Sequence, residues 1–211
     1  MPSRLKRFHE SGQSHFITFS CYQRHPLFAE PATRGVFELA LERVRLSFGL
    51  HVYGYVVMPE HVHFLVSEPG GAPCKPTLSV AGRVGLSGGE TPRSLADAIK
   101  SLKQGVSRRL IGEAKHFWQK RYYDFNVRDN SQFVEKLRYI HRNPVKRGLC
   151  ERPDDWQWSS FLHYATGVEG RVEIESEWTA RKRERTAGRL GSTVEPLPHS
   201  SQPVRLRSGW A

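Results

Sequence analysis

The chain has few cysteines, no long apolar run and fewer acidic than basic residues. Its three cysteines, Cys21, Cys74 and Cys150, lie far apart without Cys-x-x-Cys spacing, which excludes a disulfide framework and a zinc knuckle. No apolar stretch approaches the roughly 20 residues of a membrane-spanning helix, and no signal-peptide pattern opens the sequence. We therefore expect a cytoplasmic protein.

The charge balance indicates the kind of partner. Lys and Arg number 32 against 21 acidic residues, which gives a formal net charge of +11 among 211 residues. Such a charge favours a polyanionic partner. A membrane surface would attract the same charge, but nucleic acid fits a cytoplasmic protein better, and we expect association with the nucleoid.

Hydrophobic periodicity predicts an α+β order of strand, helix, strand, strand, helix, strand and a further helix. The two middle strands would form a hairpin around Pro59 and Glu60 at the centre of the sheet. Pro144 is predicted to end the last helix, which starts near Asn130. The other predicted elements are strands at 15–22, 51–58, 61–67 and within 116–127, and helices at 33–48 and 94–110.

Two segments have compositions that oppose a packed core. Residues 69–92 are rich in Gly, Pro, Ser and Ala, which predicts a flexible insertion. Residues 168–211 mix basic clusters with Ser, Pro and Gly, which predicts a basic, disordered C-terminal tail whose removal could weaken DNA binding or be silent. We therefore place one domain at 1–167, followed by the tail.

The most specific feature is the pair His61 and His63 within an apolar run. Side chains at i and i+2 of a strand leave on the same face, so both imidazoles can bind one metal ion. The pair alone is also typical of a half-exposed polar strand face. A second segment, in which Tyr139 and Asn143 lie one helical turn apart, favours the metal site.

Phosphodiester transfer needs a nucleophile and a cation that takes up negative charge on the phosphate. Two imidazoles and an amide oxygen would form a three-ligand site that suits Mg²⁺ or Mn²⁺, although histidine pairs also accept Zn²⁺ or Ni²⁺. A tyrosine phenol, ionised with the help of a metal or cation, would be the nucleophile. On chemistry alone, Tyr122 and Tyr123 compete with Tyr139, which can also be a surface aromatic.

Four segments in order carry a resemblance to a known family. They are YVVMPEHVHFLV, FWQKRYYDFNVRD, LRYIHRNPVKRGL and DWQWSS. Together they resemble the single-tyrosine HUH transposase superfamily of the IS200 type, and most closely its REP-associated tyrosine transposases. The resemblance extends from about His15 to about Tyr164.

The resemblance implies a fold, a site and a substrate. The fold would be an antiparallel sheet of four to five strands with helices packed on it, related to ferredoxin-like and RNA-recognition folds. His61 and His63 would bind the metal, and Tyr139 would become joined to the 5′ phosphate of cleaved single-stranded DNA. Asn143 falls at the third ligand position, where insertion-sequence members more often carry Gln; it could instead be a helix C-cap. The partner would be single-stranded DNA with a hairpin, bound by a monomer rather than a homodimer.

Basic residues outside this site are candidates for DNA contact, although each could equally be a solvated surface charge. The aromatics among them at 116–127 are typical either of base stacking or of core packing, and we favour core packing for Phe117 and Trp118. The candidate nucleic-acid-binding residues are Arg4, Lys6, Arg7, Lys100, Lys103, Arg108, Lys120 and Arg121.

Together with the site residues, the resemblance implies a metal-dependent transesterase that cleaves and rejoins single-stranded DNA near hairpin repeats. Two alternatives belong to other classes. A domesticated hairpin-binding regulator would keep the fold without cutting, and the presence of all four site residues argues against it. A metal-dependent hydrolase of a small substrate would explain neither Tyr139 nor the charge.

Overall fold

The computed structural model describes residues 14–70, 94–112 and 115–190, with side chains described up to residue 186. The strands are Ser14–Ser20 (β1), Val52–Val57 (β2), His61–Ser67 (β3) and Tyr123–Val127 (β4). The α-helices are Pro31–Phe48 (α1), Leu95–Leu110 (α2), Asn130–Lys146 (α3), Phe161–Thr166 (α4) and Glu177–Leu190 (α5). Almost all of the predicted insertion, together with Arg4, Lys6 and Arg7, lies outside the described residues.

The four strands form one antiparallel sheet in the order β2, β3, β1, β4. With α1 and α2 as crossovers, this is the predicted α+β arrangement. The hairpin was predicted to lie at the centre of the sheet, and this is wrong for one of its two strands: β3 is an interior strand, but β2 is an edge strand. Hydrophobic alternation identifies a strand but contains no information about its neighbours, which explains the difference.

The helix boundaries follow from local signals. The Ser94 side chain accepts from the Asp97 N–H while the Asp97 carboxylate accepts from the Ser94 N–H, a capping box at the start of α2. The Asp129 side chain accepts from the Gln132 N–H and caps α3. These caps place the starts of both helices within a residue of the predicted positions.

Alternation along the strands divides the core into two layers. Ile17, Phe19 and Phe64 face α1 and α2 with the larger cluster of buried apolar residues. Phe16 and Leu65 face α3 and pack with Leu137 and Ile140. The predicted burial of Phe117 and Trp118 is confirmed, as both lie in the larger cluster. His61 and His63 share the α3 face with Leu65, because successive members of this set are two residues apart along β3.

Pro144 does not end α3, which contradicts the prediction. The helix continues to Lys146, and Arg147 is its C-cap, with its N–H donating to the Asn143 carbonyl at 3.0 Å. A proline lacks one N–H donor, but so close to the end of the helix this loss does not terminate the helix. Asn143 is therefore inside the helix and is not its C-cap.

The DWQWSS segment covers the outer edge of β2, which no other described strand pairs with. The Val57 N–H donates to the Trp158 carbonyl at 2.9 Å, and the Ser160 N–H donates to the Tyr55 carbonyl at 3.0 Å. Arg34 reaches over both Trp156 and Trp158, with its guanidinium carbon 4.6 Å and 4.2 Å from the ring centroids. An unpaired edge invites association with other strands, so the segment protects the sheet.

The chain beyond residue 167 is more ordered than predicted. Val172 and Ile174 are buried in the larger cluster, and the Glu175 N–H donates to the Val52 carbonyl at 2.8 Å. The α5 cations are mostly paired with acids, as in the bonds from Arg183 to the carboxylates of Glu173 and Glu175. The predicted tail is thus wrong for residues 172–190, and residues 191–211 lie outside the described part.

Candidate active site

The histidine pair lies near the centre of the sheet, beneath α3. His61 and His63 are each 5% exposed, and Phe16 of the neighbouring strand stacks on His63 with ring centroids 5.5 Å apart. The Nε2 atoms of the two histidines are 2.9 Å apart. Strand alternation thus brings both rings to one point, as predicted.

The opposite nitrogen of each ring faces an oxygen. Thr18 Oγ1, across the β1–β3 register from His63, is 2.6 Å from His63 Nδ1. Glu60 Oε1 is 3.1 Å from His61 Nδ1. The Glu60 carboxylate can only accept, which favours a proton on His61 Nδ1, and the Thr18 hydroxyl is able to accept from His63 Nδ1 in the same way. In these tautomers both Nε2 lone pairs face each other.

Burial keeps both imidazoles neutral. It lowers the pKa of His61, although the Glu60 carboxylate acts in the opposite direction. Burial also lowers the pKa of His63, to about 3, with His61 contributing in the same direction. A neutral imidazole is the form that ligates metals, so the pair is available for ligation at neutral pH.

Asn143 completes a set of three potential donors. It is 5% exposed, and its Nδ2 atom lies 3.3 Å from His63 Nε2. Its Oδ1 atom is buried and has no hydrogen-bond partner among the described residues. The two ends of an amide are exchanged by a half-turn of the side chain, which would present the oxygen to the histidines.

This arrangement fits a divalent cation. Two ligands at about 2.1 Å from one ion are about 3 Å apart when they meet it at a right angle, close to the observed Nε2 separation. Converging lone pairs and an orphaned amide oxygen are electrostatically unfavourable without a cation. Among the described residues, no group of three or more His, Cys, Asp or Glu side chains is placed to hold a metal, so the candidate donors are two imidazoles and an amide.

Tyr139 lies one turn before Asn143 on α3 and stands edge-on to His63, with ring centroids 5.1 Å apart. Its side chain is 39% exposed, so a substrate can reach it. The Lys146 ammonium is 5.9 Å from the Tyr139 ring centroid. The structure therefore brings together a reachable phenol, the histidine pair and Asn143.

These residues line a cleft of about 380 Å³. Arg24, Lys136 and Arg147 also line it and give it positive charge. Arg24 reaches it from a short turn in which Gln23 and Arg24 have left-handed φ angles of 50° and 56°, a conformation that costs energy in residues other than glycine. The remaining lining residues are Phe16, Thr18, Ser20 and Tyr123.

The predicted DNA contacts outside the cleft have varied positions. Lys100 and Arg108 are exposed on α2, which packs on the sheet face opposite to the cleft. Lys103 was predicted to be exposed, as a DNA contact or a solvated charge, but it is half-buried. Its ammonium donates to the Gln119 carbonyl at 2.8 Å, and burial lowers its pKa. Lys120 and Arg121 are exposed just before β4.

Sequence reasoning missed several residues of the cleft. Lys136 and Arg147 recur with Tyr139 and Asn143 at helical spacing, so the period of α3 contained the signal for them. Thr18 depends on the strand register, and Arg24 depends on a left-handed turn. Neither of these two features is visible in the sequence.

Similarity to known proteins identifies the family of this chain. The family described as transposase IS200 like matches residues 9–143. The chain belongs to this family. Within it, the REP-associated tyrosine transposase of Escherichia coli is 21% identical over 161 residues, covering 75% of this chain and 82% of that protein. A Haemophilus influenzae protein provisionally given the same name is 28% identical over 137 residues, covering 59% of this chain and 66% of its own length.

A solved structure shares the fold of this family member. The REP-associated tyrosine transposase bound to a REP hairpin superposes with a TM-score of 0.60 at 20% identity, covering 82% of this chain and 92% of that one. The predicted IS200-like family and fold class are thus confirmed. Among the described helices, none has the length and apolarity needed to cross a membrane.

Proposed function

We propose that this IS200-like transposase cleaves and rejoins single-stranded DNA beside hairpin repeats, with Tyr139 as the nucleophile. The observation that carries the proposal is the convergence of Tyr139, Asn143, His61 and His63 in one cationic cleft, from two elements about 80 positions apart in the chain. The family and the hairpin in the structural relative support DNA as substrate. The protein's charge of +11 is consistent with it.

In the proposed reaction, the Tyr139 phenolic oxygen attacks the scissile phosphorus. The new bond joins this oxygen to phosphorus, and the bond from phosphorus to the 3′ oxygen breaks. The phenolic proton passes to solvent or a base, and the leaving oxygen takes up a proton as a 3′ hydroxyl. A free 3′ hydroxyl attacking the 5′-phosphotyrosine reverses the step and rejoins the DNA, so no external energy source is needed.

The cleft residues have separate roles in this proposal. His61, His63 and Asn143 would hold Mg²⁺ or Mn²⁺, which when bound would neutralise charge that develops on the phosphate. Arg24 and Lys136, which line the same cleft as Tyr139, would bind the DNA backbone. The exposed position of Tyr139 lets its oxygen approach a phosphate in line with the leaving group.

A denaturing gel tests this function. Labelled single strands that carry hairpins from the DNA flanking the gene are incubated with protein and either Mg²⁺ or Mn²⁺. A covalent protein–DNA band is expected with the wild type and should be absent with Tyr139→Phe. Tyr123→Phe is the matched control, because Tyr123 lies in the same cleft and is 46% exposed.

Two results would contradict the proposal in different ways. A covalent band that survives in Tyr139→Phe would move the nucleophile to another tyrosine. Tight hairpin binding without a covalent band, under either metal, would favour a regulator that binds DNA without cutting it.

A further inference from the structure

The Glu60 carboxylate lies between the histidine pair and the end of α3. Its Oε1 atom is 3.1 Å from His61 Nδ1 and accepts a hydrogen bond from Arg147 Nη2 at 2.7 Å. At this distance the carboxylate acts on the His61 ring through its charge. Only 12% of the Glu60 side chain is exposed, against 49% of the Arg147 side chain.

The turn that presents Glu60 is fixed by two backbone contacts. The Cys21 N–H donates to the Glu60 carbonyl, and the Phe28 N–H donates to the Pro59 carbonyl, both at 2.9 Å. These bonds attach the turn to the end of β1 and to the loop before α1. The carboxylate therefore starts from a fixed backbone position beside His61.

Arg147 connects this turn to the helix of the nucleophile. It is the C-cap of α3, one turn after Asn143 and two turns after Tyr139. A buried carboxylate without a cationic partner is costly, so the guanidinium stabilises Glu60 in its position. The ion pair thereby joins the β2–β3 turn to the end of α3, across 87 positions of the chain.

We propose that Glu60 is a positioning residue for His61 and that Arg147 acts through Glu60. The inference rests on the proposed function, because it assigns these residues to the metal site. Glu60 keeps the proton of His61 on Nδ1, so that the unprotonated Nε2, which faces His63, has its lone pair available for a metal ion. Thr18 Oγ1 has the same role for His63. Outer oxygens of this kind orient metal-bound imidazoles in many proteins.

Calorimetric titration of Mn²⁺ into DNA-free protein tests the inference without any readout of activity. Glu60→Gln keeps the shape of the side chain and removes its charge, and it is expected to weaken Mn²⁺ binding about 10- to 100-fold. Arg147→Gln should weaken it in the same direction. The double variant should bind no more weakly than Glu60→Gln alone, because both substitutions break one chain of contacts.

Two controls separate this effect from general ones. Arg142→Gln removes a charge from an exposed position on the same helix, and it should leave Mn²⁺ affinity unchanged. Thermal unfolding in EDTA reports whether each variant is folded. Should Glu60→Gln fail to fold, Arg147→Gln alone carries the test, since its side chain is half exposed and its loss leaves the core intact.

The outcomes distinguish this inference from the proposed function. If Glu60→Gln binds Mn²⁺ like the wild type while His63→Ala has lost binding, the positioning role is refuted and the metal site stands. If Arg147→Gln weakens DNA binding and leaves Mn²⁺ affinity unchanged, Arg147 contacts phosphate and does not act through Glu60. If the wild type binds neither Mn²⁺ nor Mg²⁺, the metal part of the proposed function fails together with this inference.

Discussion

The packing beneath the site predicts a strong effect for the smallest possible substitution, Gly54→Ala. Gly54 lies in β2 directly under α3, and a Cβ atom there would be 2.5 Å from Leu137 Cδ1 and 3.3 Å from Ser160 Oγ. Leu137 is 4% exposed and belongs to the buried apolar cluster beneath α3, so its side chain cannot move without disturbing its neighbours. The Ser160 hydroxyl is also held, since it accepts from the Tyr55 N–H at 3.0 Å. The added methyl group therefore pushes α3 away from the sheet.

The expected loss of stability follows from this crowding. Overpacking of a well-filled core costs about 1–3 kcal/mol, which for a chain of this size lowers Tm by roughly 3–10 °C. The effect on activity should be larger than this, because α3 carries Tyr139 and Asn143. A displacement of about 1 Å between reacting groups costs roughly a hundredfold in rate.

Thermal unfolding and the rate of covalent adduct formation, measured well below Tm, check both parts. The matched control is Gly170→Ala, whose Cβ would meet nothing within 4 Å, and it should change neither quantity. A Gly54→Ala protein with wild-type Tm would show that the core accepts the methyl group and would refute the packing argument. A lowered Tm with an unchanged adduct rate would show that the site does not depend on the position of α3.

Three further predictions concern charge. His15 is buried, with Nδ1 2.9 Å from Asp124 Oδ1, and its pKa is raised because its carboxylate partners outweigh the effect of burial. Thermal unfolding should therefore show wild type to be more stable than His15→Gln by a margin that is full below the ordinary pKa of 6.5 and falls as pH rises through the raised pKa. A margin that grows with pH would contradict this sign. Lys103→Ala should lower Tm and leave DNA affinity unchanged in a binding titration, whereas the exposed Lys100→Ala should leave Tm unchanged. Arg24→Gln should weaken single-strand binding and reduce the slope of log affinity against log salt by about 0.7, the value of one phosphate contact; an unchanged slope would remove Arg24 from the DNA interface.

The sequence predicted the elements of the site better than their surroundings. The arms of the hairpin were predicted to within one residue, because alternation and the Pro59 turn are local features. The one-turn spacing of Tyr139 and Asn143 placed them on one helix for the same reason. Sheet order and the pairing of Thr18 with His63 depend on contacts between distant segments, which no local pattern encodes.

Two predictions were wrong although a local sequence pattern indicated the observed structure, because charge and composition were given more weight than that pattern. Val172 and Ile174 alternate with glutamates, a period typical of an extended segment with one buried face, yet the charged surroundings predicted disorder. Lys103 lies beside the apolar stripe of α2, and its ammonium lies over the Phe19 ring, 5.6 Å from the centroid. A lysine at such a border can bury its stem, so charge alone does not place it on the surface.

The architecture separates two tasks between the sheet and α3. The sheet supplies the histidines and the oxygens that orient them, and α3 supplies Tyr139, Asn143 and Arg147 from successive turns of one face. A single packing layer beneath α3 therefore sets the distance between the candidate nucleophile and the candidate metal site. Because Arg147 also binds Glu60, the C-terminal end of α3 is attached to the turn beside the histidine pair. The position of α3 along the sheet is therefore set by an ion pair as well as by apolar packing. A helix held at both points presents Tyr139 at a defined position in the DNA-free protein, as the proposed phosphoryl transfer would require.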